Sequence, residues 1–87
     1  METQKYKIAD LKGMTLQTIN RTKSEFIKID NIRFSDIPGM DIDIINGNDC
    51  LSLTNDEFLD IIFQGETLAE RHGDTFDLFI LDEPKKH

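Results

Sequence analysis

Residues 40–58 read MDIDIINGNDCLSLTNDEF, and this stretch decides the fold class. Asn46-Gly47 stands between two runs of alternating apolar character, the pattern of a β-hairpin closed by a two-residue type I′ turn. That loop pairs Ile45 with Asn48, Ile44 with Asp49, Asp43 with Cys50, Ile42 with Leu51, Asp41 with Ser52 and Met40 with Leu53. One face then carries Met40, Ile42, Ile44, Leu51 and Leu53; the other carries Asp41, Asp43, Cys50 and Ser52. A slip of one residue would mix the two sets. A helix start follows at once. Thr54 and Glu57 have the spacing of a capping box, and Leu53 and Phe58 that of the hydrophobic staple around it. Asp56 and Glu57 place negative charge at the helix N-terminus, where the dipole favours it.

Downstream, Phe58, Ile61, Ile62, Gly65, Leu68 and Ala69 share one face at about 100° per residue. Arg71 and His72 fall in a last turn, with Gly73 just past it, so the pattern predicts one principal helix near residues 55–71. Gly65 strains that reading, because glycine inside a helix costs about 1 kcal/mol relative to alanine. The helix either runs through Gly65, close to the sheet, or stops there. Residues 75–81 predict a closing strand, with Phe76, Leu78 and Ile80 on one face and Asp77, Phe79 and Leu81 on the other. Apolar residues on both faces mark a central strand.

Upstream, residues 14–19, 24–30 and 32–34 predict short strands, and 20–23 a polar turn. Residues 3–12 fit either a short helix closed by Gly13 or an irregular strand. Pro38-Gly39 is a turn in which Pro presets φ and Gly accepts the positive φ that follows. The sum is an α+β fold: a mainly antiparallel sheet of five to seven short strands on one principal helix. Residues 1–87 make one acidic domain, and 84–87 are expected to be a disordered tail.

Charge is divided sharply along the chain. Residues 1–34 carry seven basic side chains against four acids; residues 35–83 carry thirteen acids and a single base, Arg71. The net charge is −7 and the isoelectric point about 4.6. This balance argues against direct binding to nucleic acid or anionic lipid, which needs clustered Lys and Arg. Cys50 stands alone, so no internal disulfide forms. No apolar run approaches the ~20 residues that cross a bilayer, and the start lacks the apolar stretch of a signal peptide. A cytoplasmic location is expected.

Candidate chemistry is sparse. Asp41 and Asp43 form a D-x-D pair able to meet a hard cation, but such a pair is also the solvated face of a strand kept from aggregating. Cys50, opposite a carboxylate in the expected register, is disfavoured as a thiolate. His72 has no Cys or His at ligand spacing. The glycines form neither a dinucleotide nor a phosphate loop. No catalytic role, metal or cofactor is therefore expected.

On the helical reading, Asp56, Asp60, Thr67 and Glu70 define a polar side, with Glu66 beside them and Leu59 and Phe63 set among the acids. Apolar anchors within a charged rim have the composition of an interface. The candidate protein-binding residues are Asp41, Asp43, Asp56, Leu59, Asp60, Phe63, Glu66 and Glu70. The expected function is a non-enzymatic acidic module that occupies the basic, nucleic-acid-binding surface of another protein. Phage or mobile-element anti-defence inhibitors and immunity proteins use that design. The alternatives are a small homo-oligomeric domain, for example a homodimer through Leu59 and Phe63, and a small-ligand-binding domain.

Overall fold

The computed structural model describes residues 4–21, 23–71 and 75–82. A 3₁₀ turn at Ile8–Asp10 leads into β1 (Thr15–Asn20), β2 (Lys23–Lys28), β3 (Asn31–Phe34), β4 (Ile42–Asn46), β5 (Asp49–Leu53), α1 (Asn55–Gln64), β6 (Glu66–Arg71) and β7 (Thr75–Asp82). The strands form two antiparallel sheets, ordered β2-β1-β7-β6 and β3-β4-β5. The fold is therefore α+β, and β7 is central, as its two apolar faces require. Pro38-Gly39 forms the expected turn, with Gly39 at φ +86° and the Met40 N–H donating to Ile37 O at 3.0 Å. The expected tail and the residues of the 72–74 connection lie outside the described residues.

One apolar cluster joins both sheets and the helix. Leu16, Phe79, Leu81 and Ala69 come from the four-stranded sheet; Ile42, Ile44 and Leu53 from the three-stranded one; Phe58, Ile61 and Ile62 from α1. Tyr6 and Leu11 close it from the N-terminal segment, which fits neither sequence alternative fully, being a 3₁₀ turn set in irregular chain. The Lys5 and Tyr6 N–H groups both donate to Ile62 O at 2.9 Å and so satisfy a carbonyl at the helix end. Ile29 carries the chain between sheets. It bonds Met14 on one side, its successor Asp30 bonds Ile45 on the other, and its own side chain is buried.

The hairpin forms with the expected faces but a different register. Ile42 pairs with Leu53, Asp43 with Ser52, Ile44 with Leu51, Ile45 with Cys50 and Asn46 with Asp49. The loop is Gly47-Asn48, one residue further along than Asn46-Gly47, which moves every pair by two and leaves each side chain on its expected face. Positive φ is confined to Gly47, at +57°, the first loop position, as in a type II′ rather than a type I′ turn. Asn46 is thereby kept in the strand, where its side-chain amide donates to Lys28 O at 2.7 Å. The Gly47 N–H donates to the Asp30 carboxylate at 2.7 Å.

The helix starts where expected and ends sooner. The Glu57 N–H donates to Thr54 Oγ1 at 3.2 Å, and the Thr54 N–H to Glu57 Oε1 at 2.8 Å, a complete capping box. Its C-terminus is Gly65, left-handed at φ +85°, whose N–H donates to Ile61 O at 2.8 Å. Residues 66–71, expected as helix, are strand β6 paired to β7. The reason is tertiary. The Leu81 N–H donates to Gly65 O at 2.7 Å, and a whole β7 edge is available to satisfy the backbone of 66–71. The switch from a 3.6 to a 2-residue period inverts two side chains. Leu68, expected in the core, is 61 % exposed, and Thr67, expected on the polar side, is 3 % exposed.

Candidate functional site

The outer face of the four-stranded sheet, opposite the helix, is built by alternation. Directly paired residues point the same way, so Phe26, Gln17, Ile80 and Glu66 lie in one row across the sheet. Ser24, Ile19, Leu78 and Leu68 form the next row. Phe26 is 64 % exposed and Leu68 61 %, while Ile19, Leu78 and Ile80 are half-buried. Gln17 Nε2 donates to Ser24 Oγ at 2.8 Å, which closes the polar gap on this face. Glu66 and Glu70, both exposed, flank Leu68 on the edge strand β6, and Lys28 lies at the far edge on β2. The surface is an apolar patch with a carboxylate rim along one side.

The residues expected to bind a partner are divided among three places. Glu66 and Glu70 lie on this outer face. Asp56, Leu59 and Asp60 lie on the solvent side of α1, and Leu59 is 37 % exposed. Thr67 Oγ1 donates to Asp60 Oδ2 at 3.2 Å, so Asp60 also ties the helix to β6. Phe63 is half-buried and packs against the core cluster rather than standing free among the acids. Asp41 is exposed and accepts the Asn55 N–H at 2.7 Å, an additional cap for the first helical residue. None of Asp41, Asp56, Asp60, Glu66 and Glu70 has an ion-pair partner within 4.0 Å among the described residues.

Asp43 is a structural group. It is 3 % exposed, accepts from Ser52 Oγ at 2.7 Å and from Arg33 Nε at 3.3 Å, and sits between the two on neighbouring strands. The hydrogen bond from Ser52 is the main cause holding its carboxyl below the usual carboxylate value. Ser35, Arg33 and Cys50 add to it against the opposing effect of burial. With Asp41 on the helix and Asp43 on these donors, the D-x-D pair is not a cation cage. Among the described residues no group of three or more His, Cys, Asp or Glu is placed to hold a metal. Cys50 is exposed, opposite Ile45, with Ser52 Oγ at 3.9 Å. A polar concavity of about 420 Å³ beside the β1–β2 turn is lined by both signs of charge, including Arg21, Lys23, Glu25 and Asp77.

Sequence reasoning missed Leu68, Leu78, Ile80, Ile19 and Phe26 as a set. The signal was present in Glu66-Thr67-Leu68-Ala69-Glu70, where Thr67 and Ala69 alternate with a Glu-Leu-Glu face. That segment also fits a helical wheel, and its residues favour helix. No helix among the described residues is long and apolar enough to cross a membrane. Comparison with protein-family models, with curated proteins and with solved structures gave no match.

Proposed function

We propose that this chain is a non-enzymatic binding module that docks on a basic surface of a partner protein through the outer face of its four-stranded sheet. Leu68 carries the reading: an exposed apolar side chain set between Glu66 and Glu70 and continuous with Leu78 and Ile19. Desolvating such a patch supplies affinity, and its unpaired carboxylates supply steering and orientation toward Lys and Arg. The acids on α1 and the net charge of −7 extend the same field, which raises the encounter rate with a basic protein. An inhibitor that covers a nucleic-acid-binding surface is one biological form of this chemistry.

The test is capture on the immobilised chain followed by a salt gradient. A basic protein should bind the parent, elute as salt screens the carboxylates, and fail to bind Leu68→Ser or the pair Glu66→Lys with Glu70→Lys. Melting curves should show both variants folded. Capture that both variants retain would refute the reading.

A homodimer is the second reading, favoured by Lys28. A two-fold axis along the strands would lay β6 of each copy over β2 of the other and bring Glu66 toward Lys28. Light scattering across a concentration series distinguishes this arrangement from a monomer.

A further inference from the structure

β3 is an outer strand of the three-stranded sheet, and its free edge opens onto an apolar groove. The Ser35 N–H donates to Asp41 O at 3.0 Å, and Arg33 pairs with Asp43 and Asn31 with Ile45. This alternation assigns the hydrogen-bonded pairs with β4 to the odd-numbered residues of β3. The N–H and C=O groups of Ile32 and Phe34 therefore point away from β4. Among the described residues they meet no hydrogen-bond partner.

The side chains of the same two residues line the groove. Ile8, Ile32, Phe34, Ile42 and Phe58 form its walls, with Arg33 at the rim, around a volume of about 350 Å³. Here the core reaches solvent at the end of the sheet. Phe34, 85 % exposed, is the most exposed large apolar side chain among the described residues, and Ile8 is 51 % exposed. Natural edge strands are ordinarily blunted by a charge, a proline or a covering element. β3 is short and carries the exposed Arg33, yet its outward backbone groups, without a partner among the described residues, lie beside an open apolar slot.

An extended chain laid antiparallel along β3 satisfies both features. Its backbone meets the free groups of Ile32 and Phe34, and alternate side chains enter the groove. A second copy of this chain is a poor occupant. The symmetric register that satisfies all of those groups sets Ile32 opposite Phe34 of the other copy. It also sets the two Arg33 side chains face to face and each Asp30 opposite an Asp36. Like charges directly opposite are destabilising. The flanking acids Asp30, whose carboxylate also accepts the Gly47 N–H, and Asp36 are both exposed and call for the opposite sign.

We propose that the β3 edge and its groove bind an extended segment of another protein by strand addition. Its pattern is basic–x–apolar–x–apolar–x–basic. The apolar positions lie opposite Phe34 and Ile32, and the basic ones opposite Asp36 and Asp30. This surface belongs to the other sheet and is independent of the face argued above.

The experiment is selection from two peptide libraries of this length, one with Lys and one with Glu fixed at both ends and the interior randomised. The Lys library should enrich on the parent for apolar residues at the two inner alternate positions. The best peptide, labelled and measured by fluorescence anisotropy, should weaken at least about tenfold with Phe34→Ala. Phe34→Pro, which deletes an outward N–H without touching the β4 ladder, should weaken it similarly, as should N-methylation of the peptide amides that face the edge. Equal enrichment of both libraries, no enrichment, or binding indifferent to Phe34→Ala and N-methylation would overturn the proposal. So would a parent dimer that Phe34→Pro converts to monomer, because the edge would then belong to a second copy.

Discussion

Replacing Gly65 with alanine tests the fold at the point where sequence and structure diverge. Gly65 ends α1 at φ +85° and ψ 1°, donates to Ile61 O, and accepts from the Leu81 N–H. An added Cβ would lie 3.5 Å from Lys5 Nζ and Tyr6 Cε2, an ordinary contact, so sterics contribute little. The cost is in the backbone: an L-residue held left-handed loses about 1–2 kcal/mol. Alanine also restricts the unfolded chain, which returns about 0.4–1 kcal/mol. The net expectation is destabilisation by about 1 kcal/mol, a fall in Tm of roughly 4–8 °C for a chain of this size. If residues 66–71 continued the helix, the same substitution would remove a mid-helix glycine and stabilise by about 1 kcal/mol. The two structures therefore predict opposite signs. Thermal and urea unfolding followed by circular dichroism measure the difference. Gly65→Asn should fall between parent and alanine, since Asn tolerates this conformation better. A Gly65→Ala variant that melts at or above the parent, with stronger helical ellipticity, would refute the strand assignment of 66–71.

Thr54→Ala should lower stability by about 1 kcal/mol through loss of the helix cap. A double-mutant cycle with Glu57→Ala should show coupling, because the two side chains serve each other's backbone N–H; strict additivity would contradict the capping box. The Asp43 carboxyl is held below its ordinary value in the fold. Its contribution is therefore present above the unfolded-state value of about 3.9 and is lost as pH falls through the lower folded-state value. Asp43→Asn should flatten the acid limb of a Tm-against-pH curve below about pH 4, and an unchanged limb would show that Asp43 does not titrate with folding.

Much of the fold was legible because local signals agreed with one another. The capping box and the alternation of residues 40–53 each depend on a few adjacent residues, and each formed. The hairpin register was misread because Asn46-Gly47-Asn48 offers two overlapping two-residue loops. A shift between them preserves which face each side chain occupies, so burial could not choose. What chose was Asn46, whose amide donates to Lys28 O at the end of β2 in the other sheet, a contact with no sequence signature. Residues 66–71 were misread because their propensity is helical and their strand partner is distant. The same error concealed the outer face. Leu68 joins Leu78 and Ile19 only once β6 pairs with β7. The acids on α1 were placed correctly because they lie inside the part of the helix that forms.

The central position of β7 has a consequence for biosynthesis. β1, β2 and the α1–β6 unit leave the ribosome before the strand that joins them. Until residues 75–82 follow, Leu16 and Ala69 lack Phe79 and Leu81, and the β1–β2 hairpin has no tie to β6. Until then the nascent polypeptide exposes apolar surface and two unpaired strand edges, the condition in which chaperones and proteases engage a chain. β7 pairs with β6 beside it in sequence but with β1 far upstream, and such long-range pairing slows folding. A product cut short before β7 lacks Phe79 and Leu81 in its core and the strand that joins β1 to β6.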